Sequence, residues 1–478
     1  MKTVTKCLLL AAVGAGFAAA SACSLGLDPN LIPGSDSSAP VDAGDAGVDA
    51  PNPVGCKADP DCTPTNKCLT GKCNTTTKTC QYELCQTTAA CTAAVCDSNS
   101  HTCSAPSAYS FHAAAFHVSL GNIGCGSARR CFAAVFPFVF VGTTNGVVAY
   151  SVASPTSTSP SSIPVGGLPF LPTWILSSGN TVYFIGNVVG LGPDYKFPIA
   201  AINVPQDPTV TSMAATTAFD SLNVPSVEGV FADTTGGIFL MHVDAAKTYP
   251  AVRVTAPLKD LDTLQFVQSP SVPLNSNIVA ASGARLVTLR QENGATYASY
   301  FSLENAAGTG GAQNGGEQNV LSSMGQTYQP SYVAQSPTGG LLWTTSSVNV
   351  PDGGPGQTIS ARLSWVLLDE KATSFDATTH VDVSTYNLNS LGADLPGPAA
   401  WVDDSTAMVI SAVPGNTTQS IVQVATRSGT PTIVPSRSFQ LAFPPSQLAI
   451  ASSGGFGYVL TPDQTAGANV HVFGANCN

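Results

Sequence analysis

Cysteine is the residue type whose spacing points most clearly to chemistry in this chain. Nine of the 14 cysteines lie in one short segment, where the pattern Cys-x5-Cys-x4-Cys-x6-Cys occurs twice in succession, first from Cys62 and again from Cys85. One further cysteine precedes the first copy. The nine positions are Cys56, Cys62, Cys68, Cys73, Cys80, Cys85, Cys91, Cys96 and Cys103. Such a repeat predicts a small cassette that is held together by disulfide bonds or by metal.

Disulfide bonds explain this repeat better than zinc does. The segment contains no Cys-x2-Cys pair, and His101 is the only histidine near it. Structural zinc sites usually use such pairs. Large apolar side chains are scarce between residues 56 and 103, so burial alone would not fold the segment. Each disulfide would instead stabilise it by about 2–4 kcal/mol. We therefore predict a disulfide-rich cassette over residues 56–103, without a bound metal.

Three further cysteines, Cys125, Cys131 and Cys477, follow the cassette. Because nine is an odd number, at least one cassette cysteine must pair with one of these three or stay reduced. If Cys125 and Cys131 close a small local loop, Cys477 joins the C-terminus to the cassette, for example at Cys103. Alternatively, Cys477 pairs with Cys125 or Cys131, and the other of these reaches back to the cassette. We expect all twelve cysteines to be disulfide-bonded.

Other residue types give little support for catalysis or for metal binding. The six histidines show neither His-x-x-x-His nor His-Glu-x-x-His spacing, and Gly-x-Ser-x-Gly is absent from the sequence. His112 and His117 are five positions apart, which on a strand predicts opposite faces and no shared metal. Asp403 and Asp404 fall in a predicted hairpin turn, in contact with water. We therefore predict no catalytic, cofactor-binding or metal-binding residues and no cofactor.

Aromatic and basic residues offer a binding interpretation as well as a structural one. Arg129 and Arg130 form an isolated basic pair that we expect at the surface. Tryptophans on strands belong more often to the core than to a sugar-binding platform, and we favour the core here. The four tryptophans are Trp174, Trp343, Trp365 and Trp401.

The N-terminal segment, 1–22, has the three parts of a secretory signal peptide. Lys2 and Lys6 precede an apolar run, Leu8 to Phe17, that is too short to span a membrane, and small residues follow. Ordinary cleavage after Ala20-Ser21-Ala22 is one interpretation. The other is that Ala20-Ser21-Ala22-Cys23 resembles a bacterial lipobox, which implies cleavage before Cys23 and attachment of lipid to that cysteine. In such lipoproteins Ser24 in the next position implies the outer membrane, facing the periplasm or the cell exterior.

The charge balance argues against nucleic acid as a partner. Removal of the leader with its two lysines leaves 16 basic residues against 29 acidic ones. Binding to nucleic acid needs clustered lysine and arginine. Only 10% of the residues are charged, against about 25% in typical globular proteins, whereas 44% are hydrophobic. This composition is typical of an extracellular all-β protein with a large core.

Composition also divides the chain. Residues 23–55 are rich in Pro, Gly, Ser and Asp without an apolar period, which predicts a disordered tether. The lipobox resemblance implies that this tether is lipidated at Cys23. The recurring aspartates lack the alternating ligands and the closing glutamate of a calcium loop. After the cassette, residues 104–478 alternate short apolar runs with polar turns, and no sustained helical period occurs. The predicted order is signal peptide 1–22, tether 23–55, cassette 56–103 and a large β domain 104–478.

Seven hairpins are predicted in the large domain, each with two apolar runs around a turn that contains Gly, Asn, Asp or Ser. Their mean spacing of roughly 50 residues suits one four-stranded propeller blade each. The paired runs are 135–141 with 147–152, 174–176 with 182–185, 230–232 with 238–241, 278–280 with 286–289, 332–334 with 341–343, 400–402 with 407–410, and 448–451 with 458–460. We predict an all-β fold, a β-propeller of about seven blades preceded by the disulfide-rich cassette. A pair of β-sandwiches or a β-helix is the alternative.

The order of these segments resembles the predicted surface lipoproteins of myxobacteria and their relatives. The shared features are the lipobox, the Asp/Ala/Gly/Pro spacer and short cysteine repeats with Asp-rich gaps, here Ala58-Asp59-Pro60-Asp61-Cys62. In motif terms the resemblance covers residues 1–103, and beyond them only the β-rich texture is shared. The resemblance implies a location in the cell envelope rather than an activity.

Two functions of different classes follow. The first is a non-enzymatic envelope lipoprotein that presents a propeller scaffold to a protein or glycan partner and contacts the membrane only through its lipid. The second is a secreted propeller enzyme, either a hydrolase or lyase of polysaccharides or a cofactor-dependent oxidoreductase. An enzyme would place several ionisable side chains together at the central channel, so the scarcity of charge favours the scaffold.

Overall fold

The structure of the chain is a computed structural model. It describes residues 56–63, 69–75, 78–84, 92–93, 96–97, 102–103, 107–108, 110–118, 125, 130–153, 160–187, 197–220, 227–232, 237–242, 251–255, 266–267, 276–282, 285–292, 295–302, 318–319, 328–335, 341–349, 358–366, 379–387, 397–403, 405–413, 416–426, 432–462 and 467–477. All of these belong to the second of two compact units, Met1–Ala46 and Gly47–Asn478. The predicted signal peptide and tether lie outside the described residues. The described helices are two single 3-10 turns, Asp59–Asp61 and Pro445–Gln447, and no helix there is long and apolar enough to cross a membrane.

The cassette contains short two-stranded sheets. β1 pairs antiparallel with β2, β3 with β6, and β4 with β5. Their bounds are β1 (Leu69–Asn74), β2 (Thr79–Leu84), β3 (Thr92–Ala93), β4 (Cys96–Asp97), β5 (Thr102–Cys103) and β6 (Ser107–Ala108).

From β7 onwards, the described strands form seven sheets, which we call blades 1 to 7 in chain order. Neighbouring strands are antiparallel, except that β15 pairs in parallel with the outer edge of blade 1. Blade 1 comprises β8 (Phe132–Val135), β9 (Phe138–Thr143), β10 (Gly146–Ser151), β11 (Ser162–Gly166) and β15 (Met213–Ala214); blade 2, β12 (Pro172–Ser178), β13 (Thr181–Gly186), β14 (Phe197–Asn203) and β16 (Thr216–Asp220); blade 3, β17 (Val227–Ala232), β18 (Gly237–His242), β19 (Ala251–Thr255) and β20 (Phe266–Val267); blade 4, β21 (Ser276–Ser282), β22 (Arg285–Glu292), β23 (Ala295–Ser302) and β24 (Gln318–Asn319); blade 5, β25 (Tyr328–Gln335), β26 (Leu341–Asn349), β27 (Thr358–Val366) and β28 (Thr379–Asn387); blade 6, β29 (Ala399–Trp401), β30 (Thr406–Val413), β31 (Asn416–Thr426) and β32 (Thr432–Leu441); blade 7, β33 (Ala449–Ser453), β34 (Phe456–Pro462), β35 (Ala468–Phe473) and β7 (His112–Val118).

The blades close into a ring. The first strand of each blade contacts the first strand of the next, and β33 of blade 7 contacts β8 of blade 1. The outermost strand of blade 7 comes from the opposite end of the domain, because β7 pairs with β35 from Ala468 opposite Val118 to Phe473 opposite His112. The amide of Gly474 continues this pairing by donating to the carbonyl of Phe111 at 2.9 Å. The prediction of an all-β propeller of about seven blades is therefore confirmed.

The predicted hairpins coincide with strand pairs of the structure. In blades 2 to 7 each is formed by the first two strands of its blade. The turn between β33 and β34 shows the reason for its glycines, since Gly454 and Gly455 have φ values of 63° and 80°. Positive φ at both central residues is the type I′ turn that joins two tightly paired strands.

Blade 1 differs from the prediction in one respect. The run 135–141 was expected to be one strand, but the chain turns at Phe136–Pro137 and separates β8 from β9. Pro137 has no amide hydrogen and would interrupt a ladder in the middle of a sheet, so it belongs in a turn. The amide of Phe136 donates instead to Oγ of Ser453 in blade 7, at 2.8 Å.

The core lies between the blades. Side chains of blades 1 and 2 form one buried cluster, those of blades 7 and 1 a second, and those of blades 6 and 7 a third. Blade 1 is thus covered on both faces, which explains why β9 is buried along its whole length. β13 of blade 2 is likewise buried throughout. Phe140 of blade 1 and Phe184 of blade 2 are fully buried, and their rings meet edge to face with centroids 6.3 Å apart.

A β-bulge recurs in the first strands of four consecutive blades, 2 to 5. In each, one extra residue interrupts the register with the second strand, and these residues are Thr173, Glu228, Val279 and Ser331. Bulges bend a strand and increase its twist. Their repetition at the ring of first strands indicates that they adapt these strands to the packing around the axis.

Candidate functional site

Two disulfide bonds are present in the first half of the cassette. Cys56 is bonded to Cys73 and Cys62 to Cys80, with S–S distances of 2.12 and 1.98 Å. The side chains of these four cysteines pack into one small cluster. The prediction of disulfide bonds is confirmed for these four cysteines. Although three of the sulfurs lie close enough together to hold a metal ion, each one is engaged in a disulfide.

Hydrogen bonds from the preceding 3-10 turn support this cluster. The amide of Cys73 donates to Oδ1 of Asp59 at 2.9 Å, and the amide of Lys57 donates to Oδ2 of Asp61 at 2.7 Å. The backbone hydrogen bonds from Lys57 and Ala58 lower the pKa of Asp61 below its usual value. The Asp-Pro-Asp sequence therefore has a structural role.

The repeat of the cassette is visible in its hairpins. Cys73 lies opposite Cys80 in β1 and β2, and Asn74 lies opposite Thr79. The equivalent positions of the second copy form the same pairs in β4 and β5, where Cys96 lies opposite Cys103 and Asp97 opposite Thr102. The two copies thus fold into hairpins of the same register.

The third disulfide joins Cys125 to Cys131, so the local loop is the alternative that the structure contains. It is buried in the core between blades 1 and 2, where Ile175 lies close to it. Cys477 is buried as well, and its amide donates to the carbonyl of Gly474 at 2.8 Å. Cys23, Cys68, Cys85 and Cys91 lie outside the described residues, and only the backbone is described for Cys96 and Cys103.

The ring of first strands surrounds the axis, where many propellers place a site. Its strands are rich in small, apolar and hydroxyl side chains. Within these seven described strands, Glu228 of β17 is the one residue of the Asp, Glu, His, Lys and Arg types. A cluster of acidic and basic groups, which an enzyme would require there, is not contributed by these strands.

A cation–π pair lies at the boundary between blades 1 and 2. Arg130, which is exposed and precedes β8, places its guanidinium carbon 4.0 Å from the centre of the Trp174 ring in β12. Trp174 is partly exposed. Leu171, which directly precedes β12, is 55% exposed. Arg130 and Trp174 thus combine a cation and an aromatic ring at the surface, and the exposed Leu171 lies three residues before Trp174 in sequence.

The four tryptophans belong to three different blades. Trp401 is buried in blade 6, as the core interpretation predicts, whereas Trp343 and Trp365 lie on β26 and β27 of blade 5 and only their backbone is described.

The sequence predicts that Asp403 lies in a turn in contact with water, but both oxygens of its carboxylate accept hydrogen bonds from the protein. Asp404 lies outside the described residues. Oδ1 of Asp403 accepts hydrogen bonds from the amide and the hydroxyl of Ser405, and its Oδ2 accepts one from the amide group of Asn476. Burial acts to raise the pKa of this carboxyl, but the hydrogen bonds from Asn476 and Ser405 outweigh it, and the pKa is lowered. Asp403 thus attaches the C-terminal segment to blade 6.

The histidines of β7 contradict one prediction. His112 and His117 lie on the same face, because the register shift between Val472 and Phe473 of β35 inserts one extra residue in β7 between them. They meet different partners: Nε2 of His112 lies 3.3 Å from Nδ1 of His471, and Nδ1 of His117 lies 3.4 Å from Oδ1 of Asn469. Two histidines 359 residues apart in sequence are thereby brought together, which no local pattern indicated.

Aromatic rings surround the two imidazoles. His112 stacks on Phe439 of β32 in blade 6, with ring centroids 3.9 Å apart, and Phe473 packs against both. Burial lowers the pKa of His112. Burial, and then the nearby His112, lower the pKa of His471 to about 4. Both shifts favour the neutral form of the imidazole. His101 lies outside the described residues, and only the backbone of His242 and His380 is described.

Comparison with known proteins adds fold similarity alone. No protein-family model matches the chain, and no curated protein matches it. Among solved structures, the β-propeller domain of Nup133 from Vanderwaltozyma polyspora is 13% identical over 75% of this chain and 97% of that one, with a TM-score of 0.38. The WD40 domain of coronin from Toxoplasma gondii is 10% identical over 75% and 84%, with a TM-score of 0.38. A post-proline cleaving enzyme from Rickettsia typhi is 10% identical over 70% and 49%, with a TM-score of 0.36.

Proposed function

We propose that this chain is a lipoprotein of the cell envelope that presents its β-propeller as a non-catalytic binding scaffold for a protein or glycan partner. The observation that carries the proposal is the composition of the inner ring, where seven strands together contribute Glu228 as their one acidic or basic side chain. Hydrolysis of a glycosidic bond needs two carboxylates, and proton transfer needs positioned acids and bases. A ring with this composition favours binding over chemistry.

The surface that we propose for binding contains Arg130, Leu171 and Trp174. Tryptophan and arginine are the residues that most often dominate the affinity of binding surfaces. The stacking of the Arg130 guanidinium 4.0 Å above the Trp174 ring holds both side chains in a defined arrangement before a partner arrives. Such order lowers the entropic cost of binding.

This surface can be tested with the substitution Trp174→Ala. We expect the oxidised protein to bind one class of glycan on an array, or one protein of the envelope in cross-linking, and the variant to bind at least about tenfold more weakly. Gln440→Ala, at an exposed position of blade 6, is the control and should bind like the wild type. Equal binding by Trp174→Ala would reject this surface. Turnover of a polysaccharide by the wild type would instead favour the alternative, a secreted propeller enzyme.

We further propose that the mature chain begins at Cys23 and is attached to the outer membrane by lipid on that cysteine. The disulfides of the cassette support export, because such bonds form and persist in oxidising compartments. An acylated cysteine with more than one chain anchors a protein stably, whereas a single acyl chain binds only marginally. The lipid would be the membrane contact of the protein.

The substitution Cys23→Ser tests the attachment. The wild-type protein should sediment with membranes and should show an intact mass above that of the polypeptide by the mass of its acyl chains. The variant should lose both properties, because its first mature side chain offers no thiol for lipid. Ser37→Ala, within the proposed tether, should behave like the wild type. A wild-type protein that is soluble and unacylated would contradict the proposal, whichever partner the propeller binds.

A further inference from the structure

The strand that closes the ring meets its partner through a pair of histidines. His112 lies on β7 and His471 on β35, and their facing ring nitrogens are 3.3 Å apart. The other ring nitrogen of His471 lies 3.4 Å from the hydroxyl oxygen of Thr461 on β34. On its other side the His112 ring stacks on Phe439 of blade 6. The pair therefore joins three strands of blade 7 to the outer strand of blade 6.

This pair requires at least one neutral imidazole. A neutral imidazole has one nitrogen that donates and one that accepts, whereas both nitrogens of a protonated ring donate. His112 and His471 share a hydrogen bond only while one of them offers a lone pair to the other. Protonation of both would leave two cationic donors facing each other at 3.3 Å.

The surrounding strands do not offer a charge that would compensate. On β7 the other titratable group is His117, and on β32 it is Arg437, whose guanidinium donates to the carbonyl of Ala475 at 3.0 Å. On β34 it is Tyr458, which is fully buried and whose pKa is raised by burial, and β35 carries His471 alone. These four described strands contain no Asp and no Glu.

We propose that His112 and His471 form an acid-sensitive latch, which holds β7 in the ring while the pair is neutral and weakens the attachment of β7 to blades 6 and 7 when the pair is protonated. The latch acts on the one blade that is assembled from both ends of the domain. It adds regulation of the ring by pH, and it does not depend on which partner the propeller binds.

The direction and size of the effect follow from the imidazoles. The pKa of His471 is about 4 in the closed ring against 6.5 in water, and that of His112 is lowered too. Because the open state binds protons more readily, closure is strongest above pH 6.5 and weakens as the pH falls towards 4. The pKa shift of His471 alone should make the equilibrium constant for opening of β7 roughly 30-fold larger at a pH of about 5 than at a pH of about 7.5.

Hydrogen exchange of the full oxidised protein tests the latch. After correction for intrinsic exchange rates, the amides of β7 and β35 should open roughly 30-fold more at pH of about 5 than at about 7.5, whereas those of β9 and β13 should change little. In His471→Gln the increase at β7 should fall below about threefold. His117→Gln, which changes a histidine on the same face of β7, should retain the wild-type increase.

Two results would overturn the proposal. One is a wild-type protein in which β7 opens equally at both pH values, and the other is a full pH-dependent increase that persists in His471→Gln. If that variant does not fold, an NMR titration of the wild-type imidazoles decides: His471 should stay neutral until the pH is well below about 6. Ordinary titration of both rings near about 6.5 would reject the latch.

Discussion

A protein from which Phe111–Val118 has been deleted is expected to lose at least about 5 kcal/mol of its free energy of unfolding. The deletion removes β7, which completes blade 7. Three buried side chains of the deleted segment, Phe111, Phe116 and Val118, contribute about 1.5–3 kcal/mol each. Removal of β7 also leaves the edge of β35 unpaired. Because domains are stable by only about 5–15 kcal/mol, the ring should be largely open, and denaturant unfolding followed by tryptophan fluorescence would measure the loss.

A single substitution provides the control for this deletion. His117 is the exposed side chain of β7, so His117→Ala should change the free energy of unfolding by no more than about 0.5 kcal/mol. If the deleted protein unfolded at the same denaturant concentration as the wild type, the pairing of β7 with β35 would not be what closes the ring.

The second large effect is expected from Phe140→Ala, at about 3–5 kcal/mol. Phe140 is fully buried between blades 1 and 2, where its ring meets that of Phe184. Truncation removes the ring and leaves a cavity that neighbouring strands, fixed by their own ladders, cannot fill. Denaturant unfolding, with loss of near-ultraviolet circular dichroism as the signal, would measure it.

Two further variants make the result for Phe140 interpretable. Phe140→Leu keeps most of the apolar volume and should cost less than half as much as the alanine variant. Leu171→Ala changes a side chain that is 55% exposed, and should alter stability by no more than about 0.5 kcal/mol. A loss below about 1 kcal/mol for Phe140→Ala would show that the interface between blades 1 and 2 is packed more loosely than described.

Features that depend on neighbouring residues could be predicted from the sequence. The pair Gly454–Gly455 indicates a hairpin turn in the sequence, because residues that accept positive φ are needed at both positions. The repeated spacing of the cysteines likewise predicted equivalent halves of the cassette, and Cys73–Cys80 and Cys96–Cys103 do occupy equivalent registers.

Features that depend on distant residues could not be predicted. β7 is a short strand of seven residues, and nothing beside it in sequence indicates that its partner is β35. The face of His112 was predicted wrongly because one inserted residue in the ladder reverses the alternation of side chains. The pairing of His112 with His471 depends on both of these features. The cation–π pair of Arg130 and Trp174 likewise depends on the contact between neighbouring blades.

Construction of blade 7 from both ends of the domain has a consequence for biogenesis. The stretch that becomes β7 leaves the ribosome well before its partner, since His112 and His471 are 359 residues apart. During that interval it has no permanent neighbour, and an extended segment with exposed backbone groups invites pairing with foreign chains. We therefore expect that the nascent chain requires chaperones until the final strand, β35, has been synthesised.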